Sequence, residues 1–547
     1  MVSISSNNND YIDRKKAFRL KTAASLFGAA GCLLLVGSAS AADLEDALVQ
    51  KTVQVAPNLE PVIPHPDQEK EALDKLTAFE EKTGKKPNIL FFIMDDVGWG
   101  DLGVYGGGAM AGAPTPNMDR LAREGLQLTS AYAQPSSSPT RATILTGRLP
   151  MRHGILRPSG KDETGGLEGE ITLPQILSEA GYVTQAVGKW HVGENKGSQP
   201  QNVGFDDFYG FLSVSDYYTE WRDPYFNPDV ALSPERTQMI RNLAFEKNWI
   251  HAKKGGEVEP IAEIDIPTCS ILDEKWADYS VEFIKNMANS DQPFFLYHCT
   301  RGAHFDNYPN PQFLGKSPAK YPYKDVMIEL DYILGRLVSA LEETGQLENT
   351  IIFITSDNGP EMELWPDSGF SPFRGAKGST WEGGMRVPGI FYWIGMISPG
   401  RISDGLFDLA DLFNTSLALS GAKDQMPTDR FIDGIDQTSF LLTDNGQSNR
   451  KYIYYWLGRN FSAVRVGEYK YMMAAESDDD RDNYLQGGFS GYIMNYYFGK
   501  AFNLYLDPKE THNFFLRKVI YSDIFLGPMK AHLATFQKYP PKDILGD

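Results

Sequence analysis

Continuous apolar runs, rather than alternating ones, dominate the chain after Pro87. The segment Asn88–Met94 reads Asn-Ile-Leu-Phe-Phe-Ile-Met, with no polar side chain after the first. An uninterrupted apolar run of this length predicts a strand that is buried on both faces of a parallel sheet. The same pattern predicts further strands at Val183–Val187, Phe294–His298 and Ile351–Thr355.

Amphipathic segments lie between these runs and predict helices. The longest extends from Tyr323 to Thr344, where apolar residues recur at helical spacing. Shorter helices are predicted at Asp67–Thr83, Leu173–Glu179 and Pro116–Glu124, the last with Thr115 as its N-cap. Strands that alternate with helices predict an α/β domain with a large, mostly parallel sheet between two layers of helices.

The pattern changes near residue 450. Tyr452–Trp456, Phe461–Val466 and Tyr469–Met473 are short aromatic and β-branched runs, and Gly467-Glu468 between the last two has the composition of a hairpin turn. These runs predict antiparallel strands. We therefore expect residues 450–547 to form a smaller C-terminal α+β subdomain that contains an antiparallel sheet.

The beginning of the chain has the pattern of an export signal. A basic segment precedes an apolar run from Thr22 to Gly37, and Ala39-Ser40-Ala41 resembles a cleavage site. We expect residues 1–41 to be a signal peptide and the mature protein to be periplasmic or secreted. An uncleaved anchor is the alternative, but the run is shorter than the roughly 20 residues of a typical span. We therefore expect no stable membrane insertion.

Charge and cysteine content narrow the function classes. The 547 residues carry a formal net charge of −19, which argues against electrostatic binding of nucleic acid. Beyond the predicted signal peptide the cysteines are Cys269 and Cys299. Two cysteines do not make a disulfide scaffold, so we expect free, buried thiols, with a pairing left open.

The most specific chemical signal is the run Ser-Ser-Pro-Thr-Arg-Ala-Thr-Ile-Leu-Thr-Gly-Arg at residues 137–148. Pro139 fits the first turn of a helix, so Ser137 should lie at the helix N-terminus, where free N–H groups favour an anion. Arg141, one turn later, directs guanidinium donors to the same place. A hydroxyl, an anion site and a planar cation this close together suggest chemistry on an oxyanion ester.

Carboxylates follow two of the predicted strands. Asp95 and Asp96 come directly after the first strand, and Asp357 and Asn358 follow the last strand of the parallel set. Ligands bind at the carboxyl edge of such sheets. Adjacent carboxylates repel each other unless a cation lies between them, and three carboxylates with one amide oxygen suit Ca²⁺, with Mg²⁺ as the alternative.

Three further loops add cations and histidines. In Gly-Lys-Trp-His-Val-Gly, Lys189 provides a fixed cation and His191 a group that exchanges protons near neutral pH. Lys377 is followed by glycine in Arg-Gly-Ala-Lys-Gly, where backbone can approach an anion closely. His304 follows the third apolar strand, and His298 within that strand is the alternative, although its position favours the core.

Together these segments resemble the formylglycine-dependent sulfatases, a family with an alkaline phosphatase-like fold. Its Ser-x-Pro-x-Arg motif ending in Thr-Gly-Arg, its Gly-Lys-Trp-His loop and its Lys-Gly-x-Thr-x-Glu-Gly-Gly segment occur here in the family's order. In that family a cysteine or, less often, a serine is oxidised to formylglycine. His304 departs from the pattern, because the two prolines that usually flank this histidine are missing.

The resemblance implies an arylsulfatase-like sulfuric ester hydrolase with its catalytic domain at residues 87–449, after an N-terminal arm and surface helix at 42–86. It implies a sulfo-enzyme intermediate on a formylglycine made from Ser137, an aryl sulfate or sulfated glycan as substrate, and a maturation enzyme that acts before export. Ser213 and Ser215 are candidates for a further hydroxyl. The implied catalytic residues are Ser137, Arg141, Lys189, His191, His304 and Lys377, and the implied Ca²⁺ ligands are Asp95, Asp96, Asp357 and Asn358.

Two alternatives remain at this point. One is a phosphate or phosphonate ester hydrolase of the same superfamily, which the low count of 8 histidines disfavours, because such sites often add histidine ligands. The other is a non-catalytic binder of sulfated glycans with an unmodified Ser137.

A cluster of aromatic residues near the middle of the sequence either lines a ring-binding wall or belongs to the core. It consists of Tyr217, Tyr218, Trp221 and Tyr225.

Overall fold

The computed structural model describes residues 50–214, 219, 223, 233–243, 248–476, 493–519, 522–543 and 545. The strands are β1 (Asn88–Met94), β2 (Leu126–Tyr132), β3 (Val183–Lys189), β4 (Asp207–Phe211), β5 (Trp249–Lys253), β6 (Glu259–Ala262), β7 (Phe294–Cys299), β8 (Thr350–Ser356), β9 (Arg386–Tyr392), β10 (Arg401–Ser403), β11 (Phe407–Asp408), β12 (Tyr452–Leu457), β13 (Asn460–Val466), β14 (Tyr469–Glu476) and β15 (Ile493–Asn503). The helices are α1 (Pro66–Thr83), α2 (Pro116–Arg123), α3 (Ser137–Thr146), α4 (Pro150–His153), α5 (Leu173–Glu179), α6 (Pro234–Leu243), α7 (Ile266–Cys269), α8 (Leu272–Met287), α9 (Pro322–Glu343), α10 (Glu382–Met385), α11 (Asp411–Leu419), α12 (Thr438–Leu442), α13 (Phe515–Lys518) and α14 (Asp523–Lys538).

One large sheet forms the centre of the molecule. Its 11 strands run in the order β10-β2-β9-β8-β1-β7-β3-β4-β5-β6, with β11 paired to β2. The five central strands, from β8 to β4, are parallel to one another. The expected α/β fold with a large, mostly parallel sheet is therefore confirmed.

Both faces of the sheet are covered, as the uninterrupted apolar runs predict. All residues of β1 are buried. Its alternate side chains enter two different cores: Ile89, Phe91 and Ile93 belong to one, while Leu90 and Phe92 belong to the other. Because successive side chains of a strand point to opposite faces, this division places a hydrophobic layer on each side.

The strands and helices expected from the pattern form close to their predicted bounds. The long helix α9 begins one residue before and ends one residue before the predicted segment. Thr115 occupies the N-cap position of α2, but its hydroxyl makes no cap hydrogen bond there. Instead it accepts a hydrogen bond from the N–H of Gly103 and donates one to Asp119. Thr115 therefore lies at the predicted cap position but does not cap the helix through its side chain.

The strands β2 and β9 were not predicted. They pair antiparallel to each other, and β9 also pairs antiparallel to β8, so the sheet is mixed on this side. β2 carries polar Gln127, Thr129 and Ser130 among its apolar residues, and β9 includes Pro388. Neither segment has the uninterrupted apolar pattern on which the prediction of the other strands rests.

The C-terminal part contains the expected antiparallel sheet, in the order β12-β13-β14-β15. Its fourth strand, β15, was not predicted, and most residues of its first half are exposed or half-buried. The helix α14 packs on β13 through a small core that includes Phe525 and Met529.

Cys269 and Cys299 are buried and free, which confirms the expectation of unpaired thiols.

The predicted signal peptide, residues 1–41, lies outside the described residues. Across the ranges that the structure does describe, we find no helix with the length and apolar character needed to cross a membrane.

Candidate functional site

The chemistry-bearing residues meet at the carboxyl edge of the central strands. β1 lies between β7 and β8, with Ile93 opposite Cys299 on one side and Thr355 on the other. The segments that follow these strands therefore emerge side by side, which brings residues far apart in the chain into one buried cluster.

Three carboxylates form the centre of this cluster. Oxygens of Asp95, Asp96 and Asp357 lie within 4.8 Å of one another, and all three side chains are buried. The backbone of Asp96 has φ 58°, a left-handed conformation that turns the chain sharply after β1. Asn358 donates from Nδ2 to Asp96 at 2.6 Å, and its Oδ1 lies 3.2 Å from the hydroxyl oxygen of Ser137.

Each carboxylate has its own cation. Lys189, the last residue of β3, donates to Asp95. Lys377 Nζ lies 2.9 Å from Asp96. Arg141 approaches Asp357 through Nε at 2.9 Å and through a terminal nitrogen at 2.8 Å. These pairs hold the three carboxylates in position.

Burial and neighbouring charges shift the pKa values of the three carboxyl groups in different directions. Burial raises the pKa of Asp95, but Lys189 and Arg141 outweigh it and hold the pKa below its usual value. Burial and the neighbouring carboxylates outweigh Lys377 and raise the pKa of Asp96 to about 7. Burial and Asp95 also raise the pKa of Asp357. A further positive charge beside Asp96 and Asp357 would favour the ionised forms of these two carboxyl groups.

This donor set fits a hard divalent cation. Carboxylate and amide oxygens are the ligands that Ca²⁺ and Mg²⁺ prefer. The oxygens of the three carboxylates are already close enough together to face a common ion. Asp95, Asp96, Asp357 and Asn358 could therefore hold the metal.

Ser137 lies beside the cluster at the first position of α3, as the Pro139 pattern predicts. Its hydroxyl oxygen is 3.4 Å from Asp95 and 3.2 Å from Asn358. The same residue lines a cavity of about 380 Å³. A group attached at this position therefore faces both the carboxylates and a space that a small molecule can enter.

The two histidines line the same cavity. His304 Nε2 lies 3.8 Å from Asp96, and its Nδ1 is 2.7 Å from the Phe305 carbonyl oxygen. The backbone N–H of His191 donates a hydrogen bond to the Leu212 carbonyl oxygen. Burial, followed by the nearby Lys189 ammonium, holds the pKa of both imidazoles well below the usual value, so both rings are neutral at pH 7.

Two of the three cations at the site lie deeper in the protein than the cavity. Arg141 and Lys189 are fully buried and are not part of the cavity lining, whereas Lys377 is. The guanidinium of Arg141 is directed at Asp357 and, through a 2.8 Å bond, at the Lys189 carbonyl. Its donors thus reach the carboxylate cluster rather than the open space above Ser137.

The other candidate positions lie elsewhere. His298 is buried within β7, bonds to Ser280 and stacks on Phe92, as expected of a core residue. Ser213 is buried and hydrogen-bonds to Glu194. Several candidates lie outside the described residues: Ser215, Tyr217, Tyr218, Trp221 and Tyr225.

One buried carboxylate in the cavity wall was missed by the sequence analysis. Glu361 is 6% exposed, lines the cavity and lies 3.6 Å from Lys377. The signal was available, because Glu361 follows Asn358 by three residues in Asp-Asn-Gly-Pro-Glu, but this run was interpreted only as a metal-binding turn.

Comparison with known sequences gives a consistent result. A sequence model of the sulfatase family matches residues 87–422, and a second one, for the "sulfatase AslA C-terminal domain", matches residues 462–537. N-acetylgalactosamine-6-sulfatase from Homo sapiens is 36% identical over 397 residues, 70% of this chain and 71% of that protein. Arylsulfatase A from Bos taurus is 34% identical over 398 residues, covering 70% and 74%.

Solved structures share the fold. The PsFucS1 sulfatase from Pseudoalteromonas sp. superimposes with a TM-score of 0.87 at 44% identity, over 91% of this chain and 100% of that chain. Ps i-CgsB, in complex with k-i-k-neocarrahexaose, superimposes with a TM-score of 0.66 at 25% identity, over 84% and 95%.

Proposed function

Because the chain belongs to the sulfatase family of sulfuric ester hydrolases, we propose that it is an exported enzyme that cleaves a sulfate ester through a formylglycine formed from Ser137. The observation that carries this proposal is the position of Ser137. It lies at a helix N-terminus, beside Asp95 and Asn358, and at the wall of a cavity.

Residue 137 is the nucleophile in this proposal. Oxidation of the serine by a maturation enzyme gives an aldehyde, and its hydrate carries two hydroxyls. One hydroxyl, in its ionised form, attacks sulfur while the bond from sulfur to the ester oxygen breaks, which gives a sulfo-enzyme and the free alcohol. The second hydroxyl on the same carbon then gives up its proton and forms the C=O bond, while the C–O bond to sulfate breaks, which releases sulfate and restores the aldehyde. An unmodified serine lacks that second hydroxyl, so turnover depends on the modification.

Asp95, Asp96, Asp357 and Asn358 would hold Ca²⁺, with Mg²⁺ as the alternative. A divalent ion there supplies positive charge to the sulfate oxygens and favours the ionised nucleophile. Arg141 and Lys189 hold Asp357 and Asp95 in place through the contacts described above. Lys377 lines the cavity itself and is therefore the cation that contacts the sulfate most directly.

Proton transfer falls to the groups in the cavity. His191 is neutral, so its imidazole can accept the proton of the second hydroxyl when sulfate leaves. Burial opposes ionisation of Lys377, but Asp96 and Glu361 hold the pKa of its ammonium above the usual value. Lys377 thus carries a proton that it can donate to the leaving oxygen, and His304, which lines the same cavity, is the alternative donor. Such assistance contributes about 10²–10⁴-fold to the rate.

The relatives support a carbohydrate as the leaving group. One similar protein is named for N-acetylgalactosamine 6-sulfate, and one similar structure contains k-i-k-neocarrahexaose. An aryl sulfate remains the second substrate class, because arylsulfatase A is also similar. A phosphate ester hydrolase is disfavoured, because the described metal-binding cluster consists of aspartates without a histidine ligand.

The test is release of sulfate by protein purified from its native host. We expect turnover of para-nitrophenyl sulfate or of monosulfated sugars, loss of turnover after EDTA treatment, and recovery with Ca²⁺. Ser137→Ala should be inactive, because it removes the site of oxidation. Preferential cleavage of para-nitrophenyl phosphate would favour the phosphohydrolase, and binding of sulfated glycans without turnover would favour the non-catalytic binder.

A further inference from the structure

The cavity contains a buried carboxylate that the proposed mechanism uses only as a neighbour of Lys377. Glu361 follows β8 and belongs to the cavity wall, with only 6% of its surface exposed. Among the described residues, its Oε1 has no hydrogen-bond partner. A buried acceptor without a donor costs free energy. A bound molecule that donates a hydrogen bond to this oxygen would therefore be favoured.

The position of Glu361 relative to the reacting group is defined by Lys377. The ammonium lies between two carboxylates, 2.9 Å from Asp96 and 3.6 Å from Glu361 Oε2. Asp96 belongs to the metal-binding cluster, and Glu361 belongs to the cavity wall. Ser137, Lys377 and Glu361 line the same cavity, so a leaving group that fills this cavity can contact Glu361.

The composition of that wall indicates what kind of leaving group it suits. Glu361, Glu363 and Leu364 come from one loop and line the cavity together. Phe305 and Leu156 add apolar surface. An O–H donor on the leaving group matches the oxygen of Glu361 that lacks a partner.

We propose that Glu361 is a specificity-determining residue whose Oε1 accepts a hydrogen bond from a hydroxyl of the leaving group, next to the carbon that bears the sulfate. The side chain thereby selects a sulfate ester of a polyhydroxylated alcohol, such as a sugar with a free neighbouring hydroxyl. This inference rests on the proposed sulfatase activity and names the substrate class of the same site.

The expected effect depends on the substrate. A hydrogen bond to a charged acceptor is worth roughly a 10- to 100-fold change in kcat/KM when its partner is present. Para-nitrophenyl sulfate has no hydroxyl to donate, so it gains nothing from the Oε1 acceptor and depends on Glu361 only through its contact with Lys377. A role that acts only through Lys377 would instead change both substrate types by the same factor, because both carry the same sulfate group.

The experiment compares Glu361→Ala and Glu361→Gln with the wild-type enzyme, using para-nitrophenyl sulfate and a panel of monosulfated galactose and N-acetylgalactosamine. We expect Glu361→Ala to lower kcat/KM for the best sugar about 10- to 100-fold more than it lowers kcat/KM for the aryl ester. Glu361→Gln, which keeps an acceptor oxygen, should lose less. Glu343→Ala removes an exposed carboxylate on α9 and serves as the matched control, and thermal unfolding checks that every variant is folded.

Several outcomes would overturn the inference. Equal losses for both substrate types would assign Glu361 to the positioning of Lys377 alone, and no loss for either would remove it from the site. A wild-type enzyme that cleaves para-nitrophenyl sulfate but none of the sugars would contradict the substrate class and leave the sulfatase activity standing. Failure to cleave any sulfate ester would instead contradict the proposed function itself.

Discussion

At the scale of single residues, the contacts of the cations distinguish two roles that the motifs alone do not separate. Arg141 and Lys189 are buried with carboxylates, while Lys377 reaches the cavity. Arg141 uses three nitrogens for Asp357 and a backbone carbonyl. A planar guanidinium can make these contacts at once, and an ammonium cannot.

The substitution Arg141→Lys tests this role. It keeps the charge but cannot hold Asp357 through two nitrogens, so a metal ligand loses its position. We expect kcat/KM for the best sulfate ester to fall by about 100-fold or more, measured as released sulfate. The Ca²⁺ concentration for half-maximal activity should rise as well. Unchanged activity would show that charge alone suffices at this position.

His298 gives a pH prediction outside the site. Burial lowers its pKa to about 3 in the folded protein, whereas the unfolded value is about 6.5. The unfolded state therefore binds a proton first as the pH falls, and stability is lost from about pH 6.5 downward. Between about pH 7.5 and pH 5 this group alone costs about 2 kcal/mol.

The measurement is urea unfolding of the wild type and His298→Asn at these two pH values. We expect the variant to be less stable at neutral pH, because it leaves a gap in a packed core. Its free energy of unfolding should nevertheless fall by about 2 kcal/mol less on acidification, since the titrating group is gone. Parallel losses in both proteins would show that His298 is protonated in the folded state.

At the scale of elements, the end of β3 depends on a residue without a side chain. Gly188 has φ 94°, and a Cβ at this position would lie 1.8 Å from the carbonyl oxygen of Cys299. That oxygen belongs to the neighbouring strand β7 and cannot move without disturbing the sheet. Gly188 therefore allows Lys189 to follow directly and reach Asp95.

We expect Gly188→Ala to destabilise the fold by more than about 4 kcal/mol or to prevent recovery of folded protein. The matched control is Gly84→Ala at the C-terminus of α1, where φ is 71° but no atom lies within 4 Å of the added Cβ. There only the backbone strain remains, about 1–2 kcal/mol. Similar losses in the two variants, measured by urea unfolding, would rule out the close contact as the cause.

The elements also show how far the sequence carries the prediction. β1, β7 and β8 are uninterrupted apolar runs, so pattern alone located them, and with them the edge where Asp95 and Asp357 meet. β2 and β9 escaped prediction because polar residues interrupt β2 and a proline interrupts β9, so neither is a continuous apolar run. The role of Glu361 could not be predicted from the sequence, because it depends on Lys377 and the cavity, which come together only in the folded chain.

At the scale of the whole molecule, a buried ionic network joins the C-terminal sheet to the large one. Glu382, which begins α10, accepts hydrogen bonds from Tyr132 of β2 and Tyr455 of β12 at 2.6 and 2.8 Å. Lys470 of β14 lies 3.2 Å from Glu382 and 2.8 Å from Glu510. All of these side chains are fully buried, so the network holds only while both sheets are in place.

The substitution Glu382→Gln tests this coupling. Burial opposes ionisation, but Lys470 and Arg465 lower the pKa of Glu382 to about 2, so its charge is present at all ordinary pH values. Removing it takes a carboxylate away from buried Arg465 and leaves Lys470 with Glu510, at a cost of about 3 kcal/mol. Glu348→Gln breaks an exposed ion pair with Lys82 and should leave the free energy of unfolding unchanged. Equal stability of both variants would contradict a structural role for the network.

The central claim is that residue 137 becomes an aldehyde. The most direct measurement is the mass of the tryptic peptide from Glu124 to Arg141, which contains Ser137, in protein purified from its native host. The account predicts a mass lower by two hydrogen atoms, with the change located at Ser137. An intact serine in native, purified protein would contradict the formylglycine mechanism and leave a serine-nucleophile phosphohydrolase or a sulfated-ligand binder as the explanation of the site.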